Sequence, residues 1–262
     1  MKKTGIMTDS HSGILQSEAD ELGIGVLPMP FYIDEKLYRE GVDISREEFY
    51  DRLRKGVDVS TSQPSPEEVM KMWDTMLEQY EELVYIPISS GLSGSCMTAQ
   101  AMAQDEPYAG KVFVVDNGRV STPMHRSVLD AVELADKGYS AEKIKKILED
   151  NRENMVIYVG LSTVSYLKKG GRISSVAAVA ADVLNIKPVM KFGVGKLDVY
   201  QKCRGIKNAR KAMIDAIKKE FATTFKDAYE AGKVYLMAAS SSTEEVTREW
   251  VAQIKENFPG LD

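Results

Sequence analysis

The sequence is poor in the residue types that build metal centres and disulfide frameworks. Among its 262 residues are only two cysteines and two histidines. Cys96 and Cys203 lie far apart in unrelated segments, which is typical of a reduced, cytoplasmic protein rather than of a disulfide scaffold. His11 and His125 cannot supply a histidine-rich metal site, and we predict no metal ion.

Two further features are absent, and each excludes a class of partner. The net charge is −5, with acidic and basic residues interspersed, so no basic stripe indicates nucleic-acid binding. No apolar run reaches the ~18 residues that a membrane span needs, so we expect at most transient contact with a membrane. The opening segment MKKTGIMTDS has only a short apolar stretch, which predicts a first strand rather than a signal peptide.

What the first half of the chain does contain is an alternation of strand-length apolar runs and helical patterns. This alternation predicts a parallel sheet covered by helices on both faces, and therefore an α/β fold. The predicted buried strands are KTGIMTDS, ELVYIPIS and KVFVVDN, and the predicted helices lie near 17–23, 94–106 and 123–137.

Local signals add a hairpin and two helix starts. The segment FYIDEKLYREGVDIS alternates around Asp34 and predicts a hairpin at the edge of the sheet. Ser45 precedes Glu48 by three residues, and Ser65 precedes Glu68 by three, so both serines are expected to begin helices as capping boxes.

The second half mixes antiparallel patterns with helices, so an α+β domain is expected over 153–262, after an α/β domain over 1–152. Because an α/β block usually returns to its sheet after a helix, we expect the last strand of the second domain to be missing. The predicted elements are a strand in MVIYVGL, a short helix ending at YLKKGG, a helix near 174–184, a hairpin in NIKPVMKFGVGKLDVYQKCRG, a helix over 206–219, a strand in KVYLMAAS and a helix near 243–257.

The segment ISSGLSGS, residues 88–95, places hydroxyls and glycines between a strand and a helix. A serine hydrolase would carry G-x-S-x-G, but around Ser93 the second glycine stands at +1 instead of +2. An anion site is a second interpretation, because glycine lets the backbone approach a ligand and the helix adds its positive end. A plain turn is the third.

A second group of hydroxyls, in STSQPS, favours the anion site. Thr61 and Ser62 directly precede the predicted helix at Ser65. Because loops at the carboxyl ends of parallel strands converge on one crevice, we expect Thr61 and Ser93 to face one another. Neutral hydroxyls suit a carboxylate, whereas a phosphate site usually recruits lysine or arginine as well.

Charged residues at other turns offer further candidate sites. Arg172 in YLKKGGRIS and Arg204 in QKCRG are candidates for phosphate binding or for docking a partner, although the neighbouring lysines also suit a helix end. Asp9 and Asp116 follow predicted strands and could hold a metal ion. We expect Asp9 instead to fix the amides of its own loop.

The motifs TDSHSG, STSQPS, ISSGLSGS, YLKKGGRIS and NIKP…KCRG occur in this order, and together they resemble the DegV family of bacterial fatty-acid-binding proteins. The resemblance runs from Lys3 to the last helix. It implies two α/β domains with one long-chain fatty acid between them, such as palmitate, stearate or oleate, and no cofactor or catalytic residue. A separate ATP-dependent fatty acid kinase subunit would phosphorylate the bound carboxylate to acyl phosphate, for phospholipid synthesis.

The resemblance also implies roles for individual residues. It assigns carboxylate binding to Thr61 and Ser93, with Ser62 and Gly94 beside them, and phosphoryl transfer or partner docking to Arg172 and Arg204. The family usually closes with a strand and a His-Thr-Gly-Pro-Gly-like segment, whereas this sequence ends at residue 262 without one. This departure bears on phosphoryl transfer more than on acyl binding. The alternatives are a serine hydrolase using Ser93 and a phosphate-binding domain using both arginines.

Overall fold

The computed structural model describes residues 2–173 and 185–261, and the chain divides into two compact units, Met1–Glu153 and Asn154–Asp262. The chain has a mixed α/β fold, as predicted. The helix expected near 174–184 lies outside the described residues. The assignment of a role to each predicted domain, 1–152 and 153–262, remains a prediction.

The first unit begins with a strand and alternates strands with helices. Its elements are β1 (Lys2–Asp9), α1 (Gln16–Leu22), β2 (Gly25–Leu27), β3 (Pro30–Ile33), β4 (Lys36–Arg39), α2 (Arg46–Arg54), β5 (Val59–Thr61), α3 (Pro66–Leu77), β6 (Tyr80–Ile86), α4 (Ser95–Met102), β7 (Val112–Val114), α5 (Ser121–Asp136) and α6 (Ala141–Asp150).

Four of these strands form a parallel sheet in the order β2-β1-β6-β7. The chain order reverses between β1 and β6, whose carboxyl ends therefore lie side by side at a topological switch point. In open parallel sheets, ligands bind in the crevice outside such a point. The loops that follow β1 and β6 are therefore the candidate ligand site of this sheet.

Helices cover both faces of this sheet because successive side chains of a strand point to opposite faces. On β6, Leu83 and Tyr85 pack with Trp73 of α3 on one face. Val84 and Ile86 of the same strand belong to the core on the other face, with residues of α5 and α6. This alternation explains why β6 reads as a continuous apolar run.

A second sheet in the first unit corrects the predicted place of the hairpin. Strands β3 and β4 do form a hairpin, with Asp34 and Glu35 at φ 47° and 66° in its turn. It pairs with β5 in a separate antiparallel sheet of order β4-β3-β5 and not with the edge of the parallel sheet. The apolar side chains of the hairpin form their own small core, which includes Phe31 and Tyr38.

The second unit combines an antiparallel sheet with helices. Its described elements are β8 (Ile157–Gly160), α7 (Ser165–Lys169), β9 (Ile186–Gly193), β10 (Lys196–Arg204), α8 (Ile206–Ala222), α9 (Lys226–Glu230) and α10 (Glu244–Asn257). The sheet order is β10-β9-β8, and both neighbouring pairs are antiparallel. Helix α8 packs on this sheet through Ala209 and Ala212, which contact Val189 and Cys203.

The predicted strand KVYLMAAS, residues 233–240, was wrong. The structure shows no strand there, and its two largest apolar side chains are exposed, Tyr235 by 65% and Met237 by 39%. An apolar run of this length satisfies the sequence pattern of a strand, but a strand also needs a neighbouring ladder, and none of the described strands pairs with this segment.

Candidate functional site

Asp9, the last residue of β1, joins the two loops at the switch point. Its carboxylate is fully buried and accepts the backbone N–H of Ile88, 79 residues further on, at 2.9 Å. The other carboxylate oxygen accepts the backbone N–H of His11 at 2.9 Å and lies 3.0 Å from Nδ1 of the same histidine. Asp9 therefore fixes loop amides, as expected.

The loop that follows β6 forms a turn closed by its own backbone and hydroxyls. The carbonyl of Ser89 accepts the N–H groups of Leu92 and Ser93 at 3.0 and 3.2 Å, and its hydroxyl accepts the N–H of Gly91 at 3.2 Å. The N–H of Ser89 in turn donates to the carbonyl of Arg119 at 2.9 Å. The result is a closed turn that delivers Ser93 to the start of α4.

Ser93 is prepared to donate a hydrogen bond. Its Oγ accepts the backbone N–H of Ser95 at 3.2 Å, so the hydroxyl hydrogen is directed elsewhere. The side chain is half-buried, which leaves one side open to a ligand. Next to it, the N–H of Gly94 donates to no acceptor within the described part of the chain.

Helix α4 begins at this point, with Gly94 as its N-cap residue. The first N–H groups of a helix have no intrahelical acceptor, and its N-terminus carries a partial positive charge. The hydroxyl of Ser93 and the N–H of Gly94 thus lie where an oxyanion is favoured.

Gln63 brings the second group of hydroxyls against the same helix. Its Oε1 lies 3.4 Å from Oγ1 of Thr98, which donates to it, and a Cβ added to Gly94 would lie 3.2 Å from the same oxygen. The STSQPS and GLSGS segments are therefore neighbours, and glycine at 94 allows their close approach.

Thr61 and Ser62 lie directly before Gln63 and are exposed. Thr61 is the last residue of β5 and pairs with Phe31 of the hairpin, which fixes its backbone. Neither hydroxyl has a hydrogen-bond partner among the residues that the structure describes. Both remain candidates for the same ligand as Ser93.

No lysine or arginine side chain is bonded to Thr61, Ser62, Ser93 or Gly94 within residues 2–173 and 185–261. The donors of the two loops are therefore neutral. Neutral donors suit a singly charged carboxylate better than a doubly charged phosphate, which usually recruits a cation.

The residues beneath the site are inert. Cys96, the second residue of α4, is fully buried, and burial together with the nearby Asp116 raises the pKa of its thiol to about 12. Such a thiol is neither a nucleophile nor a metal ligand at neutral pH.

The geometry provides no base for a serine nucleophile at position 93. His11 is bonded to Asp9, and His125 lies 2.8 Å from Glu18. In the described chain neither histidine is hydrogen-bonded to Ser93, whose hydroxyl contacts the amide of Ser95 instead. Likewise, no group of three or more histidine, cysteine or acidic residues there could hold a metal ion.

The two candidate arginines both lie in the second unit. Arg172 follows α7, and its guanidinium donates to the carbonyl of Gly170. Arg204 ends β10 and lines a cleft of about 320 Å³ between this strand and α8, together with Lys202 and Lys211. Lys211 pairs with Asp215, also in the cleft, at 2.6 Å, so the lining keeps an excess of positive charge.

Comparison with known proteins identifies the family. A model of the DegV family, described as uncharacterised proteins, matches residues 3–262. The chain belongs to the DegV family. A DegV domain-containing protein of Caldanaerobacter subterraneus subsp. tengcongensis is 33% identical over 218 residues, which are 83% of this chain and 78% of the relative.

Solved DegV structures share the fold. A DegV family protein from Thermus thermophilus, described by its fatty-acid binding, is 32% identical with a TM-score of 0.74, over 83% of this chain and 77% of that one. A stearic-acid-binding protein from Eubacterium ventriosum has a TM-score of 0.82 over 97% of this chain and 87% of its own, at 22% identity, which shows the fold alone.

Several residues that shape this DegV site were not predicted as such. Gln63 carried no signal in the sequence, because its role depends on the approach of α4. Asp116 was considered only as a possible metal ligand after a strand, whereas its carboxylate binds the site loop. Among the described helices of this DegV chain, none has the length and apolar character needed to cross a bilayer.

Proposed function

We propose that this protein binds one long-chain fatty acid and presents its carboxylate to a separate ATP-dependent kinase subunit, which forms the acyl phosphate. The observation that carries the proposal is the pair of neighbouring loops with neutral donors. The N–H of Gly94 has no acceptor among the described residues, and the Oγ of Ser93 accepts an N–H, which leaves its hydrogen for a ligand. The Thermus relative, described by its fatty-acid binding, supports the choice of ligand.

Apolar side chains near these loops suit an acyl chain. Met97, the third residue of α4, is 65% exposed, and Leu15, in the loop after β1, is 69% exposed. Exposed large apolar side chains beside polar donors are typical of ligand sites. The position of the ligand between the two predicted domains remains a prediction.

Two free-energy estimates show how the acyl chain and the carboxylate of the ligand would each contribute to binding. Burial of a sixteen-carbon chain at ~0.8 kcal/mol per methylene contributes roughly 12 kcal/mol before entropic costs. A hydrogen bond to a charged carboxylate contributes about 1.5–3 kcal/mol. The tail therefore sets most of the affinity, and Thr61, Ser62, Ser93 and Gly94 set the orientation that a kinase subunit requires. The protein needs no catalytic residue of its own.

The first test is native mass spectrometry of delipidated protein incubated with palmitate, stearate or oleate. We expect one bound acyl mass per chain. A protein that stays ligand-free with all three acids contradicts the proposal.

The second test removes the head-group hydroxyls. Thr61→Ala combined with Ser93→Ala should weaken palmitate binding by roughly 100-fold or more, because two bonds to the carboxylate of about 1.5–3 kcal/mol each are lost. Binding of hexadecan-1-ol should change little. The acyl-phosphate yield in a reconstituted kinase assay should fall to background, while the matched surface variant Ser17→Ala with Thr75→Ala keeps full yield. An unchanged yield in the site variant refutes the assignment of these hydroxyls.

One observation favours a second candidate function in the second unit. The cleft beside Arg204 carries an excess of positive charge from Lys202, Arg204 and Lys211 against Asp215, as a phosphate-binding site would. In the leading proposal, Arg204 and Arg172 instead dock the kinase subunit or assist phosphoryl transfer. Saturable binding of a phosphorylated metabolite by protein that takes up no lipid would favour the second candidate.

A further inference from the structure

The carboxylate of Asp116 binds the loop that follows β6 through Ser90. Asp116 follows β7, two residues after its end, and its Oδ2 accepts the hydroxyl of Ser90 at 2.6 Å. Its Oδ1 accepts the backbone N–H groups of Ser90 and Gly118 at 3.3 and 3.4 Å. One acidic side chain thus holds both the backbone and the side chain of Ser90.

Ser90 connects Asp116 to the two proposed donors, the hydroxyl of Ser93 and the N–H of Gly94. It lies inside the turn in which the carbonyl of Ser89 accepts the N–H groups of Leu92 and Ser93. The direction of this carbonyl depends on the peptide plane between Ser89 and Ser90. That plane includes the N–H of Ser90, which Asp116 binds. The bond from Ser90 to Asp116 therefore fixes the turn that positions Ser93 and Gly94.

Asp116 is itself held in place. Its backbone N–H donates to Oε1 of Glu149 on α6 at 3.1 Å. The same Oε1 accepts Nζ of Lys145 at 2.6 Å, and Nζ also donates to the carbonyl of Val114. The positive charge of Lys145 offsets part of the negative charge of Asp116 and Glu149. These linked hydrogen bonds hold Asp116 in a defined position.

We propose that Asp116 is a positioning residue for the head-group site, acting through Ser90. It sets the direction of the Ser93 hydroxyl and the Gly94 N–H and thereby the preference for a carboxylate over an uncharged head. The inference rests on the proposed function. Asp116 makes no contact with the ligand in this role, and its negative charge alone would disfavour a carboxylate.

The test measures head-group preference in the full-length, delipidated protein. Equimolar hexadecanoic acid and hexadecan-1-ol compete for the site, and native mass spectrometry gives the ratio of the two complexes. We expect Asp116→Asn and Ser90→Ala each to lower the acid-to-alcohol ratio by about tenfold. Binding of the alcohol and the melting temperature should stay close to those of the wild type, since the tail site and the core are intact.

Two comparisons separate positioning from other roles. Asp74→Asn is the matched control, because it breaks another hydroxyl–carboxylate bond of the same unit, Tyr108 to Asp74 at 2.9 Å. It should leave the ratio unchanged. Ser90→Ala removes the attachment and keeps the charge of Asp116, so a purely electrostatic role predicts that Asp116→Asn raises the ratio while Ser90→Ala leaves it unchanged.

Each outcome decides the matter. A wild type that binds neither compound refutes the proposed function itself. A wild type that prefers the acid, with both variants retaining that preference, refutes the role of Asp116 alone. Equal loss of acid and alcohol in the variants shows a structural role only and also overturns the inference, as does a higher ratio in Asp116→Asn.

Discussion

At the scale of one residue, the surroundings of Ser93 leave its neutral hydroxyl able to donate a hydrogen bond. Because its oxygen already accepts the N–H of Ser95, its hydrogen is the part left for a ligand. The sequence allowed Ser93 and Thr61 to be chosen as candidates, since both stand in hydroxyl-rich segments that precede a helix. It could not show Gln63 or the bond from Ser90 to Asp116, because partners 26 or more residues apart meet only in the folded chain.

The two cysteines give a prediction at the same scale. Cys96 is fully buried and Cys203 is 3% exposed, and burial raises the pKa of both thiols. A raised pKa leaves little thiolate at pH 8, and burial blocks access by a reagent. We expect almost no reaction of the native protein with a disulfide reagent over minutes and two equivalents after unfolding in guanidinium. Rapid reaction of the native protein would contradict the structure around α4 or β10.

At the scale of elements, local sequence pattern predicts helices and hairpins better than it predicts strands that pair with distant segments. The β9–β10 hairpin and the helix α8 follow from local periodicity and turn residues, and the structure confirms them. The segment 233–240 has the same apolar character as a strand, yet it forms none. Helices satisfy their hydrogen bonds within one segment, whereas a strand depends on a partner elsewhere, which a single stretch of sequence does not reveal.

Glu220 gives a prediction about how α8 is joined to its sheet. It is 7% exposed and accepts Tyr158 Oη at 2.7 Å and Lys191 Nζ at 2.8 Å. Burial acts to raise its pKa, but the bonds from Lys191, Thr224 and Tyr158 outweigh burial, and the pKa is lowered. We expect Glu220→Gln to lower the free energy of unfolding by about 1–2 kcal/mol at pH 7, reduced by the exposure of Lys191.

The pH dependence of this difference has a definite sign. A lowered pKa in the folded state means that the stabilisation is present above the unfolded pKa of about 4.3 and is lost as the pH falls through the folded value. The gap between wild type and Glu220→Gln should therefore close in acid. Urea titrations at several pH values measure it, with Glu230→Ala, from an exposed pair, as the control. A gap that widens in acid would show that Glu220 is protonated in the folded protein.

At the scale of the whole molecule, each unit has a core of its own. The first unit buries Trp73 completely between α3 and the parallel sheet, with Tyr85 and Tyr108 at ring distances of 6.1 and 5.0 Å. A segment of this length with two core layers matches an ordinary folding domain. The α/β character of the whole chain was predictable, because it follows from the order of strands and helices.

This organisation predicts that residues 1–153 fold alone. Trp73 is the only tryptophan in that fragment, since the other is Trp250. We expect a cooperative urea transition and the emission of a buried indole in the native fragment. Emission typical of a solvated indole, or a gradual transition, would show that the fragment needs the rest of the chain.

The link from Asp9 to Ile88 has a consequence for the order of assembly. The bond spans 79 residues, so the loop that carries Ser93 takes its final shape only after β1 and β6 have paired. Long-range contacts of this kind form late because loop closure must be completed first. Under the proposed function, retention of a fatty acid would therefore report that β1 and β6 have paired, and a partly folded population would release the fatty acid before it lost its helices.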